Sequence, residues 1–331
     1  MALFDMYGPR VESRFVDLPR GLSARQIGRL LAEAGVIRSE WQFVAVRLLR
    51  PRLKLQAGEY AFTHPDTPWH IFRRIASGDV HWYELTVPEG NNVFDIAASL
   101  HRLGLMTDGS FLKAARSPEL ARELLAGIAP AAPDVEGFLS PATYRLTRHT
   151  TAKKLIHEMV QQFRKVYTSL NGPIPATATV TLASLVEKES AAAAERPIVA
   201  SVYANRVARG MKLDCDPTTI YAALLEGRWR GTIYRLDLDS KHPYNTYQHA
   251  GLPPGPIANP GREALEAAIH PAHTAYLYFV ARPDDSGRHT FSRGLAEHAR
   301  AVAQYRRGHQ KAVAAGTATG SPGRAGRTHH R

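Results

Sequence analysis

Phe15-Val-Asp-Leu-Pro-Arg-Gly-Leu-Ser-Ala-Arg-Gln-Ile-Gly-Arg-Leu-Leu-Ala-Glu-Ala-Gly-Val36 reads as one strand, turn and helix. Phe15 to Leu18 is an apolar or β-branched run that meets a Pro-x-Gly turn, Pro19-Arg-Gly21. The residues that follow place Ile27 and Leu31 at helical spacing and end at Gly35, a natural left-handed C-cap. The same pattern returns 69 residues later: Leu85 to Val87, Pro88-Glu-Gly90, then Ile96, Leu100, Gly104 and Leu105. The competing reading is two unrelated βα segments, since Pro-x-Gly before a helix is common.

Working outward, Leu55 to Phe62 alternates like a strand and Pro68 to Ser77 reads as a short helix capped at Gly78. From Pro118 to Val160 the pattern is mostly helical, broken by Ala129-Pro-Ala-Ala-Pro133 and Glu136-Gly-Phe-Leu-Ser-Pro141, and Asn171 to Thr177 forms a boundary. The chain has 331 residues, 44% of them hydrophobic, enough for substantial cores. Its 42 Lys+Arg against 30 Asp+Glu give a net charge of +12, which favours anionic partners such as wall polymer or lipid headgroups. The basic residues are spread along the chain rather than interleaved with aromatics on one face, so nucleic acid is not an expected partner. A single cysteine, Cys215, excludes an internal disulfide or CxxC site, and no His-x-x-x-His spacing supports zinc; neither metal nor cofactor is expected. The first residues show neither a signal peptide nor a membrane span.

Ala178 to Ala194 (ATVTLASLVEKESAAAA) is predicted to be a helix. Leu182, Leu185, Val186 and Glu189 share one stripe, whereas Glu187 falls with Ala183 and Ser184. A carboxyl on an apolar stripe is desolvated and its pKa rises toward the range of a proton donor, which makes Glu189 the general-acid candidate. The alternative is that both glutamates solvate the helix end or pair with Arg196 and Arg206. Downstream, Asp214-Cys-Asp-Pro217, Tyr244-Asn-Thr-Tyr247, Gly251 to Ile257 and Asn259-Pro-Gly261 are stiff loops rich in Pro, Gly, Asn and Tyr, as a saccharide cleft would require. Each taken alone is also an ordinary turn.

Leu182-Ala-Ser-Leu-Val-Glu-Lys-Glu-Ser190, Val202 to Arg206, Asp216-Pro-Thr218, Tyr244 to Tyr247, Gly251-Leu-Pro-Pro-Gly255, Ala268 to Pro271, Tyr276 to Val280 and His289-Thr-Phe291 occur in an order that resembles the YceG-like, or MltG, family of endolytic murein transglycosylases. The resemblance runs over roughly residues 13 to 306. It implies an α+β fold: N-terminal LysM-like βα modules, then a mixed α+β catalytic domain. The expected division is the chain start over 1–12, just after a membrane anchor that the sequence lacks, a LysM-like repeat region over 13–115 and a helical connecting segment over 116–175. A catalytic domain over 176–310 and a disordered basic tail over 311–331 complete it. The family's Glu-Gly-Tyr-Leu-Phe-Pro-Asp-Thr-Tyr segment appears as Glu136 to Tyr144 with Ser140 and Ala142 in place of an aromatic and an acid.

The resemblance further implies a lyase that cuts the β-1,4 bond between N-acetylmuramic acid and N-acetylglucosamine within peptidoglycan strands, leaving 1,6-anhydro ends and terminating nascent strands. Glu189 corresponds to the catalytic acid. Asn245, Thr246 and Tyr247 are the candidates for positioning the sugar, with Asp216, Asn205, Arg206, Glu187 and His289 as further cleft residues. The expected partners are glycan strands and peptidoglycan synthases, and the expected location is the inner membrane, anchored by a single span with the catalytic part in the periplasm. The alternatives are a muramidase-type hydrolase using Glu187 or Asp216 as a second carboxylate, and a non-catalytic peptidoglycan-binding protein.

Overall fold

The computed structural model describes residues 6–8, 13–190, 192–284 and 286–314. They divide into two compact units, Met1–Leu85 with Thr143–Thr151 and Thr86–Ala142 with Ala152–Arg331. The first unit runs β1 (Arg14–Leu18), α1 (Ala24–Glu33), α2 (Glu40–Leu49), β2 (Gly58–Phe62) and α3 (Pro68–Ser77). β1 and β2 pair antiparallel, with Val16 opposite Tyr60. The strand alternation and the helix stripes converge on one core containing Leu18, Ile27, Leu31, Phe43, Tyr60, Phe72 and Ile75. Leu31 is fully buried, so Leu31→Ala is expected to cost about 2–5 kcal/mol.

β3 (Tyr83–Val87) begins in the first unit and ends in the second; its sheet partner is β4 (Ala142–Leu146). The second unit continues through α4 (Val93–Arg102), α5 (Asp108–Ala115), α6 (Pro118–Leu125), α7 (Ala152–Ser169), α8 (Thr177–Glu189), a 3-10 turn (Ala193–Glu195) and α9 (Arg196–Ala208). It closes with α10 (Asp216–Leu225), α11 (Arg235–Leu238), α12 (Arg262–Ile269), β5 (Tyr278–Ala281), β6 (His289–Ser292) and α13 (Leu295–Ala314). The architecture is mixed α+β, with two-stranded sheets among helices.

The internal repeat holds residue for residue. β1 and β3, and α1 and α4, have boundaries 69 positions apart, and the N-caps Ser23 and Asn92 correspond. Both helices end in the same way. Gly35 donates to the Ala32 carbonyl while Val36 donates to that of Leu31; Gly104 and Leu105 repeat this with His101 and Leu100. Gly35 and Gly104 have φ of 67° and 66°, the left-handed conformation this C-cap requires. The contact division passes through the second copy, whereas the sequence reading ran one repeat region through residue 115.

Three local differences from the sequence reading have physical causes. The segment read as helical from Pro118 to Val160 contains β4, in which Tyr144 and Leu146 are buried while Thr143 and Arg145 are exposed, a period of two. α8 stops at Glu189 instead of running through the alanines to Ala194. The helix ends where Ser190 turns to an extended backbone, φ −112° and ψ 108°, and donates its hydroxyl to the Ala192 carbonyl at 3.0 Å; beyond it the Glu195 carboxylate accepts from the backbone and ring of His289. α13 continues to Ala314, into the stretch read as a tail; residues 315–331 of that tail, and most of residues 1–12, lie outside the described residues. Among the described residues no helix is long and apolar enough to cross a membrane.

Candidate active site

α8 is buried along most of its length, with Val180, Ala183, Leu185 and Val186 inaccessible, and it packs against α9, α10 and α12. Two of its buried hydroxyls are satisfied: Thr181 donates to the Thr177 carbonyl at 2.8 Å, and Ser184 donates to the Thr181 carbonyl at 2.7 Å and accepts from the Ile257 amide at 3.1 Å. The apolar stripe of Leu182, Leu185 and Val186 therefore leads to Glu189, the last helical residue, which is half-buried. Desolvation pushes its carboxyl up to about 7 and the nearby Asp216 charge pushes the same way, while the Cys215 thiol and the Tyr203 hydroxyl favour its charged form. Cys215 donates to Glu189 Oε1 at 3.3 Å. Standing at the helix C-terminus adds the negative end of the helix dipole, which also disfavours a carboxylate. Glu189 is thus poised to hold a proton near neutral pH.

Glu187, two residues earlier, has a different environment. Arg196 donates to its Oε1 at 3.2 Å and the Gly261 amide to its Oε2 at 2.9 Å. Arg196 also bridges to Glu263 at 2.8 Å. Both oxygens of Glu187 are engaged in tying α8 to α9 and to the start of α12.

Opposite Glu189, the turn into α10 is braced from the Tyr244-Asn-Thr-Tyr247 motif. Thr246 accepts from the Cys215 amide at 3.0 Å and shares a 2.9 Å hydrogen bond with Thr218. The Tyr247 hydroxyl donates to Asp216 Oδ1 at 2.6 Å. Asn245 is fully buried: its amide donates to the carbonyls of Asp237, Leu238 and Ser240, and its oxygen accepts from Thr219 and the Tyr247 amide. Asn205 donates to the carbonyls of Thr274 and Tyr276, and Arg206 to those of Leu277, Lys212 and Leu213 as well as to Asp214. His289 pairs with Glu195 at 2.9 Å.

The structure thus gathers Glu189, Asp216, Thr246 and Tyr247 around Cys215, with Asn245 behind them and Asn205 and Arg206 bracing the chain before β5. The sequence reading did not single out Cys215 or Tyr203 as part of this cluster. Tyr203, fully buried, lies two residues before Asn205 on α9, inside a quoted motif, and that position was the available signal.

The YceG-like family model matches residues 16–304. The chain belongs to the YceG-like family. The endolytic murein transglycosylase of Bacillus subtilis (strain 168) is 32% identical to it over 308 residues, covering 88% of this chain and 84% of that protein. The endolytic murein transglycosylase of Streptococcus pneumoniae serotype 2 (strain D39) is 28% identical over 322 residues, and the match spans 88% of this chain and 58% of that protein. A crystal structure of a YceG-like protein from Listeria monocytogenes superimposes with a TM-score of 0.57 at 30% identity, over 88% of this chain and 99% of that one.

In this YceG-like chain another carboxylate, Glu136, is fully buried within the same unit. It accepts from the Val93 amide at 2.9 Å, Asn259 Nδ2 at 2.9 Å, the Tyr221 hydroxyl at 3.0 Å and the Gly137 amide at 3.3 Å. Asn259 in turn accepts from the Leu139 amide and exchanges backbone hydrogen bonds with Gly90 and Asn91. The second copy's Pro88-Glu-Gly90 turn is thereby fixed in the second unit, and Lys188 of α8 donates to the Gly90 carbonyl at 3.2 Å. Desolvation pushes Glu136 up to about 8 against the pull of its donors. Ser140 of the departing motif is buried, and Ala142 opens β4.

Proposed function

We propose that this chain is an endolytic murein transglycosylase, a lyase acting on peptidoglycan strands with Glu189 as its acid and base. The observation that carries this reading is a carboxyl raised to about 7 at the accessible end of an otherwise buried helix, in a chain matched over 88% of its length by relatives bearing that name. Protonated Glu189 gives its proton to the glycosidic oxygen as the C1–O bond of N-acetylmuramic acid breaks. The muramic C6 hydroxyl closes on C1 and loses its proton to the same carboxylate, forming a 1,6-anhydro ring. One carboxyl suffices because the nucleophile belongs to the substrate, whereas hydrolysis ordinarily needs two.

Asp216, close enough to raise Glu189, favours a second reading in which it activates water and the product is a reducing end. Mass spectrometry of products from purified peptidoglycan separates the two. Anhydro-muropeptides from the parent and none from Glu189→Gln support the transglycosylase; reducing ends support the hydrolase. A Glu189→Gln variant that keeps full function would leave a glycan-binding protein.

The antiparallel β1–β2 pair enclosing α1 and α2 supports a LysM-like, glycan-binding role for the first unit. The net charge of +12 supports work against an anionic wall and membrane, at the periplasmic side of the inner membrane and beside the synthases whose strands it would terminate. Cell fractionation with a processed and an unprocessed gene product tests the location.

A further inference from the structure

The β5–β6 hairpin presents two different faces. Tyr278 pairs with Ser292 and Val280 with Thr290 across the strands, and on this face Tyr278 stacks on His298 of α13 at 5.1 Å. The other face carries Phe279 opposite Phe291 and Ala281 opposite His289. There Phe279 meets His289 edge-on at 5.3 Å and Phe291 at 6.2 Å, and Tyr276 lies against Phe291 at 5.7 Å. All three large rings are only half-buried.

Two separate contacts join this face to Glu189. Tyr203, whose hydroxyl acts on Glu189, meets Phe279 edge-on at 5.9 Å. Glu195, in the turn that follows α8, holds His289 at 2.9 Å. Asn205 fixes the Thr274 and Tyr276 carbonyls, setting the position of the outermost ring. Arg288 and Arg293 are exposed at the two ends of β6, and the Arg293 guanidinium lies 6.0 Å from the centre of Tyr276.

We propose that Tyr276, Phe279 and Phe291 form a stacking platform for the sugar rings that flank the bond held at Glu189, with Arg288 and Arg293 attracting the carboxylates of the glycan's muramic residues and stem peptides. This deepens the glycan-cleaving reading above and rests on it. Flat aromatic rings with one wet face match the apolar C–H faces of pyranose rings. An enzyme that cuts inside a strand must grip sugars beyond the two at the bond, and this face continues from the catalytic carboxyl.

The test uses Phe279→Leu, Phe291→Leu and Tyr276→Leu in the full chain, acting on purified uncrosslinked glycan strands. Leucine keeps the apolar volume and removes the flat ring, and Tyr276 lies outside the strand ladder, so folding is preserved in at least that variant. Each is expected to raise KM about five-fold or more, with kcat changed less, and Phe291→Tyr is expected to restore the parental KM. Binding of the same strands in a Glu189→Gln background is expected to weaken in parallel. Parental KM and binding in the leucine variants, with the parent still cleaving, overturn the platform alone. A parent that neither binds nor cleaves the strands overturns the functional reading beneath it.

Discussion

Glu136 and Glu189 are both carboxyls raised far above the ordinary range by desolvation, to about 8 and about 7, yet their surroundings assign them opposite tasks. Glu136 is inaccessible and receives four hydrogen bonds from Val93, Gly137, Tyr221 and Asn259. Glu189 is half-buried at a helix terminus and receives only two donors, the Tyr203 hydroxyl and the Cys215 thiol at 3.3 Å, a weak donor at a long distance. A raised pKa marks both; the number of committed donors and the access of substrate separate a scaffold carboxyl from a reactive one.

The largest effect expected from this contrast is on catalysis. Glu189→Gln removes the transferable proton and should lower kcat/KM by about 10²–10⁴-fold while leaving the urea midpoint near that of the parent. A large loss of stability in this variant would break the contrast, because it would make Glu189 a structural carboxyl as well. Glu136→Leu should do the reverse. It strands the Asn259 amide, the Val93 amide and the Tyr221 hydroxyl in the interior, at a cost of about 3 kcal/mol or more, read as a drop in the denaturation midpoint. Glu187→Gln is intermediate: it loses the ion pair with Arg196 but keeps an oxygen for the Gly261 amide, so about 1–3 kcal/mol is expected. Assays on the folded fraction should then find most of the activity intact in Glu187→Gln; a loss as deep as that of Glu189→Gln would move Glu187 into the chemistry.

How legible these roles are from sequence depends on the distance over which each is built. The repeat is legible to the residue because strand, Pro-x-Gly turn, helix and C-capping glycine are all local features recurring at one offset. The stripe leading to Glu189 is legible for the same reason, since it needs only helical periodicity. The end of α8 is not, because the alanines after Ser190 favour a helix by propensity, whereas the segment beyond Ser190 is held from 94 residues away through Glu195 and His289. β4 is hidden by its length of five residues amid helical neighbours. Asn245 and Thr246 read as cleft residues, but the structure shows their polar atoms spent on bracing α10 and α11. Asn259 reads as a turn, and its bond to Glu136 crosses 123 residues.

The smallest and sharpest test of the contrast is its pH dependence. In the proposed mechanism Glu189 begins the reaction protonated, so kcat/KM should fall as pH rises through about 7, where the carboxyl gives up its proton. Stability follows both raised carboxyls with the same sign, since the folded protein holds each proton more tightly than the unfolded chain, and of the two Glu136 carries the decline to the higher pH. Stability from this group is therefore greatest below the ordinary carboxyl range and declines as pH rises from there through about 8. Cys215 separates the two curves. Its thiol favours the charged form of Glu189, so Cys215→Ala should move the activity midpoint to higher pH, and Cys215→Ser, a stronger donor, to lower pH. Neither should move the decline near pH 8, since Cys215 donates to Glu189 and takes no part in the four hydrogen bonds on Glu136, whereas the share of the pH-dependent stability that Glu189 sets moves with the activity midpoint. A stability decline near pH 8 that shifts with the activity midpoint would mean that the two carboxyls titrate as one, and the division of labour between Glu136 and Glu189 would fail.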